Sequence, residues 1–118
     1  MELLTDELKE QLLANGRQQA AVRGTVAEID FFPVVKLFTP DAGATWLLTE
    51  IDPDAPDLAF GLCDLGLGFP ELGSVSLSEL AALRGRLGLP VERDLYFVAR
   101  KPLSTYAREA SEAGHIRA

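Results

Sequence analysis

Between residues 33 and 65 the chain reads PVVKLFTPDAGATWLLTEIDPDAPDLAFGLCDL, three apolar runs cut apart by two clusters of turn residues. These cuts restrict the fold more than any other feature. Pro40-Asp41-Ala42-Gly43 is a turn, because proline presets φ, aspartate bonds its own backbone and glycine accepts φ values closed to other residues. The runs it joins, PVVKLFT (33–39) and TWLLTEID (45–52), are predicted to pair as a hairpin. Asp52-Pro53-Asp54-Ala55-Pro56-Asp57 is too rich in proline and aspartate for regular structure. LAFGLCDL (58–65) is predicted as a third strand, with Gly61 marking a bulge or a close approach of another backbone. ELGSVS (71–76) and VERDLYFV (91–98) are predicted as the fourth and fifth strands.

Helix signals sit at both ends and once in between. Thr5 is a good N-cap, Asp6 and Glu7 suit the first turn, and Leu4, Leu8, Leu12 and Leu13 form an apolar stripe. Asn15-Gly16 is predicted to stop that helix, with RQQAAVRG (17–24) a second short one ending near Gly24. Ser76-Leu77-Ser78-Glu79 is a capping box, with Val75 and Leu80 at hydrophobic-staple spacing. Its helix is predicted to run through LSELAALR and stop at Gly85, followed by the connection RLGLP (86–90). Pro102 opens a last helix, Ser104 to Ala113, and Gly114 closes it. The expectation is an α+β fold in a single domain, 1–118, with a mobile end from residue 112. It has a mostly antiparallel sheet of about four to five strands, an N-terminal helix, a short helix after the fourth strand and a C-terminal helix.

Charge narrows the function. The net charge is −7, but residues 28–79 carry −9, residues 80–118 carry +3 and residues 1–27 carry −1. An acidic chain repels phosphate backbones, so direct nucleic-acid binding is not expected. The acidic stretch suits a basic partner or an imitation of nucleic acid. No apolar run is long enough for a membrane helix, and MELLTDELKEQ lacks the basic start and apolar core of a secretory signal. Cys63 stands alone, so no internal disulfide forms, and a cytoplasmic location is expected.

Few residues carry a chemical signal. GLGFPELGS (66–74) spaces Gly68 and Gly73 like a phosphate loop. However, Ser74 and Val75 stand where lysine and then serine or threonine are required, and Asp64 and Glu71 would repel phosphate. It is read as a strand-to-strand loop, or the cover of a small-ligand pocket under residues 64–73. Strand alternation puts Glu50 and Asp52 on one face with Trp46 and Leu48, and Glu92 and Asp94 on one face with Tyr96 and Val98. Were those strands adjacent, Glu50, Asp52, Glu92 and Asp94 would offer oxygen ligands to Mg or Mn, as in a metal-dependent enzyme acting on nucleic acid. The plainer reading pairs these acids with Arg84, Arg86 or Arg93. Cys63 and the aromatics Trp46, Phe31, Phe32, Phe38, Phe60 and Phe69 read as core, and His115 lacks the partners of a triad or zinc site.

The segments KLFTPDAGATWLLTEID, FGL, ELGSVSLSEL and RGRLGLPVERDLYF carry a resemblance that spans about residues 3–106. Their order resembles the bacterial domain-of-unknown-function family 2958, found often on plasmids and integrated mobile elements. Trp46, Glu50, Glu71, Gly73, Glu92, Arg93 and Asp94 match the family pattern, while Ser74 departs from it where relatives often carry an aromatic. The resemblance implies a mobile-element setting and no activity. The leading expectation is a non-enzymatic accessory or counter-defence domain without cofactor, a monomer or homodimer that binds a protein partner. Its candidate surface comprises Trp46, Glu50, Asp52, Glu71, Glu92, Arg93 and Asp94.

Overall fold

A computed structural model describes residues 2–118. In chain order the elements are α1 (Asp6–Val22), β1 (Val35–Phe38), β2 (Thr45–Ile51), β3 (Leu58–Asp64), β4 (Glu71–Ser76), α2 (Leu77–Ala82), β5 (Glu92–Arg93) and α3 (Leu103–Ala113). One five-stranded sheet has the order β4-β3-β2-β1-β5, with every neighbouring pair antiparallel. The α+β architecture is the one expected, with an N-terminal helix, a short helix after the fourth strand and a C-terminal helix. No helix among the described residues is long and apolar enough to cross a membrane.

Alternation along β2 divides the interior into two layers. Trp46, Leu48 and Ile51 join Leu12 of α1, Leu37 of β1 and Leu80 of α2 on one face. Leu47 joins Leu62 of β3 and Leu103, Tyr106 and Ala110 of α3 on the other. The parity changes at Thr49. Leu48 lies opposite Gly61 but Glu50 opposite Phe60, so Thr49 is an extra residue in β2. Ile51, and not Glu50, therefore continues the Trp46–Leu48 face. The bulge lies in β2, while Gly61 serves the close approach: a Cβ there would stand 1.9 Å from the Leu47 carbonyl oxygen.

Four boundaries differ from the sequence expectation by more than one residue, each because of contacts made in the folded chain. First, α1 runs unbroken through Asn15-Gly16, because this pair is its contact with the sheet. The Asn15 amide donates to the Thr49 carbonyl at 2.9 Å and accepts from Gln11 at 3.0 Å. A Cβ on Gly16 would fall 1.8 Å from the Ile51 carbonyl oxygen. Buried and hydrogen-bonded there, the two residues outweigh their poor helix propensity.

Second, α2 ends with Leu83 as its C-cap, short of Gly85. Gly85 instead makes room for Asp41, whose Oδ2 accepts from the backbone of Leu87 at 2.7 Å and Leu89 at 3.3 Å. Third, β5 has two residues in place of the eight of 91–98. Asp94 donates its N–H to the Lys36 carbonyl and then turns the chain, its carboxylate accepting from Tyr96 N at 2.9 Å. Fourth, β1 is shorter than 33–39, since Val34 and Thr39 bond the backbone of Leu48 and Ala44 just outside it.

Two carboxylates act as remote caps. Ser76 caps α2 through Glu79 N as expected, and Asp57 extends the cap by accepting from the Ser76 hydroxyl and from the N–H and hydroxyl of Ser78. Asp30 does the same for α3, accepting from the N–H and hydroxyl of Ser104, while Leu103 N bonds the Phe31 carbonyl. The segment leaving α1 is thereby tied to the opposite face of the sheet. Residues past α3 are held where Ile116 N donates to Asp64 Oδ2 at 2.9 Å.

Gly16→Ala should destabilise the chain by about 3 kcal/mol or more in urea unfolding, because helix and sheet must separate to admit the methyl. Gly73→Ala, with open space at its Cβ, should stay within about 0.5 kcal/mol of the parent. The Ser76 and Ser78 hydrogen bonds hold the Asp57 carboxyl below the ordinary aspartate value of 3.8. Its stabilisation is complete above that pH and is lost as pH falls through the lowered folded value. The deficit of Asp57→Ala in thermal unfolding should therefore be largest near neutrality and shrink below pH 3.8.

Candidate functional site

The sheet scatters the acidic residues that alternation had grouped. Glu92 pairs with Phe38 on β1, and Phe38 pairs with Thr45 on β2. Glu50 lies near the other end of β2, roughly 15 Å further along by strand rise alone. Asp94 bonds Lys36 at 3.6 Å. Asp52 follows β2 and accepts from Asp54 N at 2.9 Å. Glu71, on β4, pairs in register with Cys63 and is exposed at the sheet edge opposite β5. Among the described residues, no group of three or more His, Cys, Asp or Glu is placed to hold a metal ion. The four-carboxylate arrangement thus has no common centre for Mg or Mn.

The remaining candidates have structural partners. Trp46 is buried in the α1-side layer. The Arg93 guanidinium donates to the carbonyls of Glu2 at 2.9 Å and Leu3 at 2.8 Å, pinning the chain ahead of α1. Arg84 likewise donates to the carbonyls of Ala81 and Leu83. Burial, with Glu71 adding, pushes the Cys63 thiol up to about 11, which makes it a poor nucleophile. His115 is exposed, with its Nδ1 3.2 Å from the Ala113 carbonyl oxygen.

Glu50 has the most unusual surroundings. It is 4% exposed and meets Arg23, the C-cap residue of α1, at 3.4 Å. Burial pushes its carboxyl up from the ordinary 4.5; Arg23 and Gln19 offset part of that, while Asp52 and Glu28 add to it. Neither Arg23 nor Gln19 was among the expected partners, because a helix ending at Asn15-Gly16 could not carry them over β2.

Two surfaces remain. The β3–β4 connection is the GLGFPELGS loop, and it joins strand to strand as expected, with Gly66 and Gly68 at φ +79° and +89°. It displays Leu65, Leu67 (73% exposed) and Phe69 (79% exposed), beside Leu72 on β4. The glycine spacing resembles a phosphate loop, yet the informative residues are the apolar ones between the glycines. The second surface is a cleft of about 390 Å³ between residues 94–101 and α3, lined by Tyr96, Arg100, Lys101 and Arg117 among others. The only sequence signal for it was the +3 charge of residues 80–118.

Among known families, the model described as "Protein of unknown function (DUF2958)" matches residues 3–117, nearly the whole chain. No curated protein and no solved structure matches it.

The Glu50 environment yields a signed expectation. Because its folded value lies above 4.5, the folded state holds this proton more tightly, and the group's contribution to stability falls as pH rises through that window. Glu50→Gln should therefore gain stability relative to the parent between pH 4.5 and pH 7, read by urea unfolding at both. An equal offset at the two pH values would contradict it.

Proposed function

The chain belongs to the DUF2958 family, and we propose that it is a non-enzymatic binding module for a basic protein segment. The observation that carries this reading is the cluster of exposed Leu65, Leu67 and Phe69 with Leu72 on β4, the longer of the two edge strands. Exposed large apolar side chains grouped together mark interaction surfaces more often than free solvent faces. An edge strand leaves one row of backbone donors and acceptors open, and β4 carries little of the charge that protects such edges. An extended segment adding to β4 would satisfy that row while its alternate side chains meet the apolar cluster.

The charge of the partner follows from the flanks. β1–β4 and their connections lie within the segment of charge −9, with Asp57, Asp64, Glu71 and Glu79 in or next to β3 and β4. A second copy would bring acid to acid, whereas a strand alternating apolar residues with Lys or Arg complements both features. An accessory or counter-defence role in the cytoplasm is one form of such binding, with the acidic face occupying a basic surface of its target.

A fluorescent peptide alternating Val and Lys provides the test, with a Val–Glu peptide as control. Anisotropy should report binding of the Lys peptide only, weakening as salt rises. Phe69→Asp with Leu72→Asp should reduce the affinity by about ten-fold or more. Equal binding of both peptides, no binding, or indifference to the substitutions would overturn the proposal.

A further inference from the structure

We propose that the cleft between residues 94–101 and α3 binds a small nucleotide, its ring against Tyr96 and its phosphate held by Arg100 and Arg117. The cleft shares no residue with the β3–β4 surface, so the two readings stand or fall separately. Its volume of about 390 Å³ lies in the range of small-molecule sites.

The unusual feature is the state of its cations. Nearby, Lys101 is paired with Glu109, and Lys36 with Asp94 and the Ala118 oxygen. Among the described residues, the guanidiniums of Arg100 and Arg117 make no hydrogen bond or salt bridge, although Glu109 lies near enough to Arg117 to feel its charge; both line the cleft, together with the salt-bridged Asp94 and with Ala118. In a chain of net charge −7, two such forks facing one cavity form a site for an anion. The planar guanidinium also matches phosphate geometry.

The aromatic part is equally specific. Tyr96 stands 92% exposed on the rim, with no packing role to explain it. A flat ring without a partner, in a cleft with two arginines that make no hydrogen bond, suits a base that stacks. The wall behind it is fixed. Tyr106 is buried in the α3-side layer, its hydroxyl accepts from Arg100 N at 3.1 Å, and the Lys101 ammonium sits 4.7 Å above its ring. Phe97 packs against the same ring at 6.5 Å. This wall is thus in place before a ligand arrives, and only Tyr96, Arg100 and Arg117 have to be ordered on binding.

Size and charge together select a mononucleotide over a strand of nucleic acid. The cleft accommodates one unit, and beyond it the acidic 28–79 segment repels further phosphates.

Calorimetry on the full chain at low salt, with the 5′-monophosphates of adenosine, guanosine, cytidine and uridine, tests the proposal. At least one should bind, with the matching free nucleoside and inorganic phosphate each about ten-fold weaker or worse. Arg100→Gln combined with Arg117→Gln should weaken binding by about ten-fold or more, and Tyr96→Ala by a similar factor. All three side chains are exposed, so thermal melts should stay at the parent value; if the double variant melts early, Tyr96→Ala decides. No heat with any of the four at millimolar concentration would overturn the proposal. So would affinity unchanged in Tyr96→Ala, or inorganic phosphate binding as tightly as the nucleotide.

Discussion

The structure depends on how closely α1 can lie on β2. At Gly16 the helix backbone meets the Ile51 carbonyl with no side chain between them, and next to it Asn15 bonds the carbonyl of the bulged Thr49. A bulge frees a carbonyl from its ladder, and a buried free carbonyl needs a donor. Asn15 is that donor, so bulge and helix position specify one another. Once α1 is seated, Leu4 and Leu12 close the first layer, and Arg23 is carried to the end of β2 where Glu50 is buried. The chain then continues past the sheet to reach Asp30 and Phe31, where it holds the start of α3.

Strands were the most legible part of the chain because their signals are local. Pro40 to Gly43 and Asp52 to Asp57 mark turns by chemistry that needs no distant partner, and the strands between them stand where the apolar runs are. The Ser76 cap was readable for the same reason. The errors came wherever a residue answers to something remote. Asn15-Gly16 looks like a helix stop until β2 lies beside it, and Gly85 looks like one until Asp41 does. Residues 91–98 have strand composition, yet only Glu92 and Arg93 pair with β1, because after its bond to Lys36 the chain turns away at Asp94.

The candidate sites were less legible still, because a single-residue bulge changes the face of everything after it. Counting by twos from Trp46 puts Glu50 with Leu48; the extra Thr49 turns it toward the Phe60 side and sends Ile51 into the core in its place. The acid that matched a family pattern is thus a buried group with an arginine partner, and Arg93 is a clasp on the chain ahead of α1. The surfaces left free for binding, at the β3–β4 connection and beside α3, are made of residues whose types are ordinary and whose exposure is not.

The clasps join early residues to late ones. Arg93 holds the carbonyls of Glu2 and Leu3, and Ser104 holds Asp30. During synthesis on a ribosome, α1 and the β1–β3 meander emerge well before either clasp exists. The nascent chain can pair its first strands, but the ends of α1 stay unfastened until residues 93 and 104 have cleared the exit tunnel. Early in translation, then, Trp46, Leu48 and the helix stripe lie under an unlatched cover. The last elements made thus hold the ends of the first.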